Sequence, residues 1–164
     1  MKKDHTKVVL SGSAQESLSS ETPLYAGTVV SYRGLVLLAR RIEICPFSKK
    51  PPPYAGHWSC FCGSIEKGET PLECAVRELK EETGYVGTNW KSLGNYFATP
   101  AYNSCRIFTY TVDCEQKFET NLDDDEVIDV KIFSKNEIRK LMNRNKLQDM
   151  KTYVAIDRYF KLLT

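Results

Sequence analysis

Apolar residues recur along this chain with two different periods, and the changes of period mark out its elements. Tyr25 to Tyr32 and Leu35 to Arg41 are β-rich runs on either side of Arg33-Gly34, which predicts a hairpin. Trp58 to Cys62, Trp90 to Ala98, Arg106 to Val112 and Val127 to Phe133 read as further strands, with Pro100 to Asn103 a turn. Between Pro46 and Gly56 four prolines remove ladder donors, so that segment is expected to be an exposed loop.

Helical periods begin at Thr70. It offers a hydroxyl N-cap, Pro71 follows at the first helical position, Glu73 completes a capping box, and Gly84 supplies a left-handed terminus, predicting a helix from Pro71 to Thr83. Leu72, Val76, Leu79 and Thr83 form its expected apolar stripe. Ser134 and Glu137 make a second capping box for a helix to about Asn143. A last amphipathic helix places Tyr153, Ile156, Phe160 and Leu163 on one side. Residues 1–22 read as a flexible arm, with an edge strand at Val8 to Leu10 as an alternative, and 23–164 as one domain. Strands interleaved with helices predict an α/β fold, an α/β/α sandwich with a sheet covered on both faces.

Composition changes this picture little. With 41% hydrophobic and 27% charged residues, a chain of 164 residues buries a core unaided. A net charge of +2, with basic residues scattered among acids, argues against polymeric nucleic acid as the partner, and no run is apolar and long enough to span a bilayer or form a signal core. The expected setting is cytoplasmic, the expected state monomer or homodimer. The cysteines, at 45, 60, 62, 74, 105 and 114, lack zinc-ribbon spacing, so reduced thiols are expected. Cys45, Cys60, Cys62 and His57 are a competing soft-metal set, weighed against burial of the thiols, with both thiols of the CxC expected on one face of a strand.

The candidate chemistry lies on the first helix. Glu78, Glu81 and Glu82, at i, i+3 and i+4, project from one face. At about 6 Å each pair repels by roughly 0.7 kcal/mol in water and about 3 kcal/mol at an effective dielectric of 20. A hard cation such as Mg²⁺ relieves that repulsion and takes its remaining ligands from water and substrate phosphates. The plainer reading of any Glu-x-x-Glu-Glu is a solvated helix face.

The surrounding string decides between them. Gly63, Glu69, Arg77-Glu78, Glu81-Glu82 and Gly84 stand at fixed spacing, seven specified positions, with a chance match on the order of one in 10⁸. The pattern resembles the Nudix box, and Ala26 to Arg41, Gly56-x-Trp58 and Ile132-Phe133-Ser134 resemble flanking parts of that family. Cys62 and Ser64 stand where many members have glycine, Phe61 where proline is common and Tyr85 where an aliphatic residue is usual.

The resemblance implies the Nudix fold, a central mixed sheet between helices, and a hydrolase acting on phosphoanhydrides. It implies Glu78, Glu81 and Glu82 as ligands of Mg²⁺, with Mn²⁺ able to substitute, and the Gly63 carbonyl as a further ligand. Glu69 and Arg77 become the pair bracing loop against helix. Glu82 or Glu126 is the candidate general base, with Glu81 beside it; a solvated acidic turn at Asp123 to Glu126 is the competing reading of Glu126. Arg40 is a candidate phosphate contact. Pro100 and Tyr102 split the family's substrate markers, so Tyr102 is a candidate substrate contact without naming the substrate. Tyr54, Trp58, Tyr96, Phe97 and Tyr102 are available to stack on a base. The expected substrate is a small nucleotide, with nucleoside triphosphates or dinucleoside polyphosphates ahead of ADP-ribose and NDP-sugars, in keeping with a short chain. A non-catalytic nucleotide-binding module and an RNA-binding or decapping factor are the competing classes.

Overall fold

The computed structural model of the chain describes residues 24–41, 43–44, 48–51, 55–102, 104–117 and 128–164. The N-terminal arm and the alternative strand at Val8 to Leu10 lie outside these, as do Cys45, Tyr54, Asn103 and the acidic run with Glu126. Among the described residues, seven strands and three helices follow in chain order. β1 (Leu24–Tyr32) and β2 (Leu35–Arg41) form the expected hairpin, pairing Val30 with Leu37 and Tyr32 with Leu35. β5 (Tyr85–Phe97) and β6 (Arg106–Lys117) are antiparallel, and β6 lies parallel to β1 from Leu24 to Ser31. β7 (Ile128–Phe133) pairs with the other edge of β2, giving a central mixed sheet.

The apolar run from Trp58 does not form one strand. β3 (Trp58–Ser59) pairs with β2 at Ala39 and Arg40, whereas β4 (Phe61–Ser64) pairs with β1 from Thr28 back to Tyr25. Cys60 is therefore the apex of a wedge driven into the split where β1 and β2 diverge, and the single strand expected from Trp58 to Cys62 breaks there, although Cys60 packs with Val29 and Cys62 pairs with Gly27, on the same face of β1. Its physical reason is the change of pairing partner, which turns the chain at Cys60. The Cys60 N–H, turned out of the ladder, donates to Thr152 Oγ1 at 2.8 Å.

Adjacent β1 residues point to opposite faces. Val30 packs with Leu37, Ala39, Phe61 and Leu79, under α1 (Pro71–Thr83); Val29 packs with Val36, Leu38, Ile138, Ala155 and Ile156, under α2 (Lys135–Asn143) and α3 (Met150–Leu162). The sheet is thus covered on both faces, as an α/β/α sandwich requires. Among the described residues no helix is long and apolar enough to cross a membrane.

Two helix faces differ from the expected stripes. On α1 the buried residues are Cys74, Ala75, Leu79 and Thr83, while Val76 is 37% exposed. Small side chains let the helix axis approach the sheet, so Cys74 and Ala75 make the contact that the larger Val76 was expected to make. On α3 the buried set is Thr152, Ala155, Ile156, Tyr159 and Phe160; Tyr153 and Leu163 are exposed. Both capping boxes form, and Gly84 closes α1 with φ 66°, a left-handed conformation that costs glycine little. The bulged pairing of β5 with β6, shifted near Gly87, Thr88 and Gly94, carries β5 back to Tyr85, beyond the strand expected from Trp90.

These faces predict a contrast. Leu79→Ala should destabilise by about 2–5 kcal/mol through the cavity it leaves, and Val76→Ala by less than about 1 kcal/mol. Urea unfolding of the two variants checks it.

Candidate functional site

The loop from Ile65 to Thr70 returns the chain from β4 to α1, so the first turns of the helix lie beside the strand that precedes it. The loop is fixed at its start by the Ile65 N–H donating to the Leu24 carbonyl at 3.0 Å. Its far end is the Thr70 capping box, in which Glu73 Oε2 accepts from the Thr70 N–H at 2.8 Å. Two turns along the helix, Arg77 points back over the loop.

Arg77 is the hub of the site. Nε donates to Glu69 Oε1 at 2.9 Å and Nη2 to Glu69 Oε2 at 3.0 Å, a bidentate pair. Nη2 also donates to the Ser64 carbonyl at 3.1 Å, and Nη1 to Glu78 Oε1 at 2.6 Å and Glu81 Oε2 at 3.1 Å. The expected Glu69–Arg77 brace is thus one part of a larger network that sequence reasoning missed. The i, i+4 spacing of Arg77 and Glu81 was the available signal. Hydrogen bonds from Arg77 hold the Glu69 carboxyl below the usual carboxylate range, and the Glu69 hydrogen bonds in turn raise the guanidinium further.

Glu78 is more enclosed than Glu81, its side chain 16% exposed against 45%. It lies on Gly63 so closely that a Cβ there would overlap its carboxyl group. Any side chain at 63 would therefore displace the Glu78 carboxylate, the far end of a flexible side chain, from its place against the strand. The Cys74 thiol fills the space beneath, 3.4 Å from the Ser64 carbonyl and 3.7 Å from that of Gly63, and burial pushes it up to about 12. Burial pushes the Cys62 thiol up, and the charge of Glu82, one turn beyond Glu78, adds to it.

Does this set suit a hard cation? Among the described residues no three acidic, histidine or cysteine groups converge as a ready cage. Yet one positively charged nitrogen, Arg77 Nη1, already sits between Glu78 and Glu81, a cationic centre bridging two carboxylates. Mg²⁺ needs only one or two carboxylates when water and phosphate complete its shell. With the Gly63 carbonyl beside Glu78, the donors are all hard oxygens and fit such an ion. The competing soft set does not assemble in this way: Cys60 is buried at the wedge apex with its N–H on Thr152, and His57 Nε2 lies 2.8 Å from Gln148 Oε1. None of the five described cysteines forms a disulfide.

Other candidates are scattered. Arg40 places its guanidinium 5.5 Å from the Trp58 ring centroid and 4.0 Å from Glu43, on the β3 limb of the wedge. The Arg41 side chain and Glu126 lie outside the described positions. Tyr102 is 91% exposed at the tip of the β5–β6 turn, whose Tyr102 N–H donates to the Thr99 carbonyl at 2.9 Å. Trp58 packs edge-on against Phe133, Tyr96 donates its hydroxyl to the Leu93 carbonyl, and Phe97 lies beneath Arg106.

A family model described as "NUDIX domain" matches residues 23–154. The chain is 32% identical over 96 residues to a methanol dehydrogenase activator of Bacillus methanolicus, and 32% identical over 98 residues to an ADP-ribose pyrophosphatase of Bacillus subtilis (strain 168). Each match covers 57% of this chain and 52% of the relative, so the chain spans about half the length of the relatives it matches. Among solved structures, a NUDIX hydrolase from Nitrosomonas europaea superposes with a TM-score of 0.67 at 21% identity, covering 86% of this chain and 90% of that one. An ADP compounds hydrolase superposes at 0.70 and 18% identity, covering 86% and 72%. At these identities the likeness is one of fold.

Arg77 generates a prediction about acid stability. A carboxyl with a depressed folded pKa stabilises above its ordinary value of 4.5 and loses that contribution as pH falls through the folded value. Arg77→Met should therefore be less stable than wild type near pH 7 and show a shallower further loss below about pH 4.5. Urea midpoints from about pH 7 to about pH 3 test this; parallel acid limbs for the two proteins would refute it.

Proposed function

Because the chain belongs to the NUDIX domain family, we propose that it is a divalent-metal-dependent pyrophosphohydrolase, cleaving a phosphoanhydride in a nucleoside diphosphate linked to a second group. The observation that carries this is the Arg77-centred network: a helix and a loop hold Glu78 and Glu81 around one cationic centre, against a strand that Gly63 keeps open.

Glu78, Glu81, Glu82 and the Gly63 carbonyl would hold the ion. When bound, Mg²⁺ supplies charge screening of the diphosphate and acidification of a water molecule. The chain does the rest by positioning. Glu69 and Arg77 fix the loop so that the Gly63 carbonyl and the Glu78 carboxylate stay adjacent, an orienting role more than a gain in net stability. Glu82, on the strand side of the helix, accepts the proton of the attacking water; Glu126 is the alternative acceptor. Arg40, on the facing limb of the wedge, offers a planar fork for a phosphate.

For the substrate, we read ADP-ribose or a related ADP compound as the leading class. This reverses the order drawn from chain length, which placed nucleoside triphosphates and dinucleoside polyphosphates first. It is supported by the ADP-ribose pyrophosphatase of Bacillus subtilis and another of Methanocaldococcus jannaschii, 34% identical over 77 residues, and by the structural likeness to an ADP compounds hydrolase. With Mg²⁺ and a panel of ADP-ribose, NADH, diadenosine tetraphosphate and dGTP, we expect AMP release from ADP-ribose to be fastest, and to stop with EDTA. No release from any substrate would refute the hydrolase and favour a binding module.

Glu82→Gln should lower turnover by about two orders of magnitude or more with unchanged thermal unfolding. Gly63→Ala should raise the Mg²⁺ concentration for half-activation by about tenfold or more, because it displaces Glu78. Wild-type values for either variant, from steady-state assays across Mg²⁺ concentration, would reject that residue's role.

A further inference from the structure

Lysines and arginines are dispersed along the sequence, and the fold gathers them. From Lys131 to Thr164 there are nine, against three acids. Each of those carboxylates is already engaged. Glu137 accepts from the Ser134 N–H at 2.8 Å and its hydroxyl at 2.7 Å, Asp149 accepts from the Thr152 N–H at 3.1 Å, and Asp157 pairs with Lys161 at 2.7 Å. The two helices that cover one face of the sheet therefore carry an excess of positive charge with no carboxylate of their own to spare.

Three of these cations are held in order. Lys131, in β7, places its ammonium 5.2 Å from the Phe133 ring centroid, while Lys135 and Arg139, one turn apart on α2, lie 5.1 and 5.9 Å from that of Phe160. Both rings belong to the core, 5% and 8% exposed, and so are fixed platforms. Among the described residues none of the three cations makes an ion pair. Like charges at i and i+4 on a helix repel, and a ring face offsets only part of that. The result is a row of charges, four residues apart in sequence, whose repulsion an anion from outside would remove. Arg40 is not part of it: Glu43 lies at 4.0 Å, and Asp129 stands opposite in the β2–β7 register.

The form of the row selects the anion. Ile132, its exposed apolar neighbour, pairs with Leu37 and so points to the opposite face of the sheet, and the exposed Met150, Tyr153, Leu162 and Leu163 belong to α3 or follow it. Stable docking on a lipid surface takes inserted apolar groups as well as charge; a line of charges alone matches the regularly spaced phosphates of a strand. With Phe133 and Phe160 buried beneath the cations, no ring of the row is open to a base, and recognition is of the backbone. We propose that Lys131, Lys135 and Arg139 bind the phosphodiester backbone of a single nucleic-acid strand. The row lies on the α2 side of the sheet, away from Glu78 on the α1 side, and binding there does not depend on the hydrolase reading.

Fluorescence anisotropy of a labelled oligouridylate of about twelve nucleotides, in EDTA so that no turnover intervenes, measures this binding. For the wild-type protein log affinity should fall with log salt at a slope of about −2, as three phosphate contacts on a single strand give. Lys131→Gln, Lys135→Gln and Arg139→Gln together should lower the affinity at low salt by about tenfold or more and bring the slope near zero; each alone should reduce the slope by about 0.7, a graded effect that loss of fold does not produce. Lys67→Gln, Lys80→Gln and Lys91→Gln together remove the same charge from exposed positions elsewhere. They should leave the affinity within about twofold of wild type. Equal losses in the two triple variants would reduce the effect to net charge and overturn the proposal. So would an oligonucleotide that does not bind, or one displaced as readily by polyglutamate or phosphatidylserine vesicles as by unlabelled oligouridylate.

Discussion

The guanidinium of Arg77 is the group on which the site depends. It spends its donors on a loop carboxylate, a strand carbonyl and two helix carboxylates, so three separate pieces of chain take their relative positions from one planar cation. Lysine would offer a single point of charge in its place, without the fork that makes two parallel bonds to Glu69. The network also changes how the acidic helix face should be understood. Repulsion between Glu78 and Glu81 is relieved from within the helix, so the fold does not need a metal to tolerate them. What a metal would add is chemistry.

Much of this was legible in the residues. Local signals decide local structure, and α1 has them at both ends: the hydroxyl cap, the proline, the glutamate three residues on, and the closing glycine. The β1–β2 hairpin and the second capping box were read for the same reason. The spacing of Gly63, Glu69, Arg77 and the three helix glutamates was enough to point to the α1–loop–β4 junction as the candidate site.

What escaped notice is non-local. The break at Cys60 follows from β1 changing partners, which no window of sequence around Cys60 contains. The apolar stripe on α1 was assigned to the larger side chains, although it is the small Cys74 and Ala75 that allow close approach to the sheet. Substrate preference was not legible for a related reason: chain length carries no information about which group lies beyond the diphosphate.

The irregular pairing of β5 bears on how molecules meet one another. Among the described residues β5 pairs only with β6, so it forms a rim of the sheet, thirteen residues long. A flat rim of that length is a template on which a neighbour's strand can align its amides. Three shifts of register and a positive φ at Asn89 twist it out of that shape. Register shifts of this kind disfavour lateral addition of a neighbour's strand along the rim.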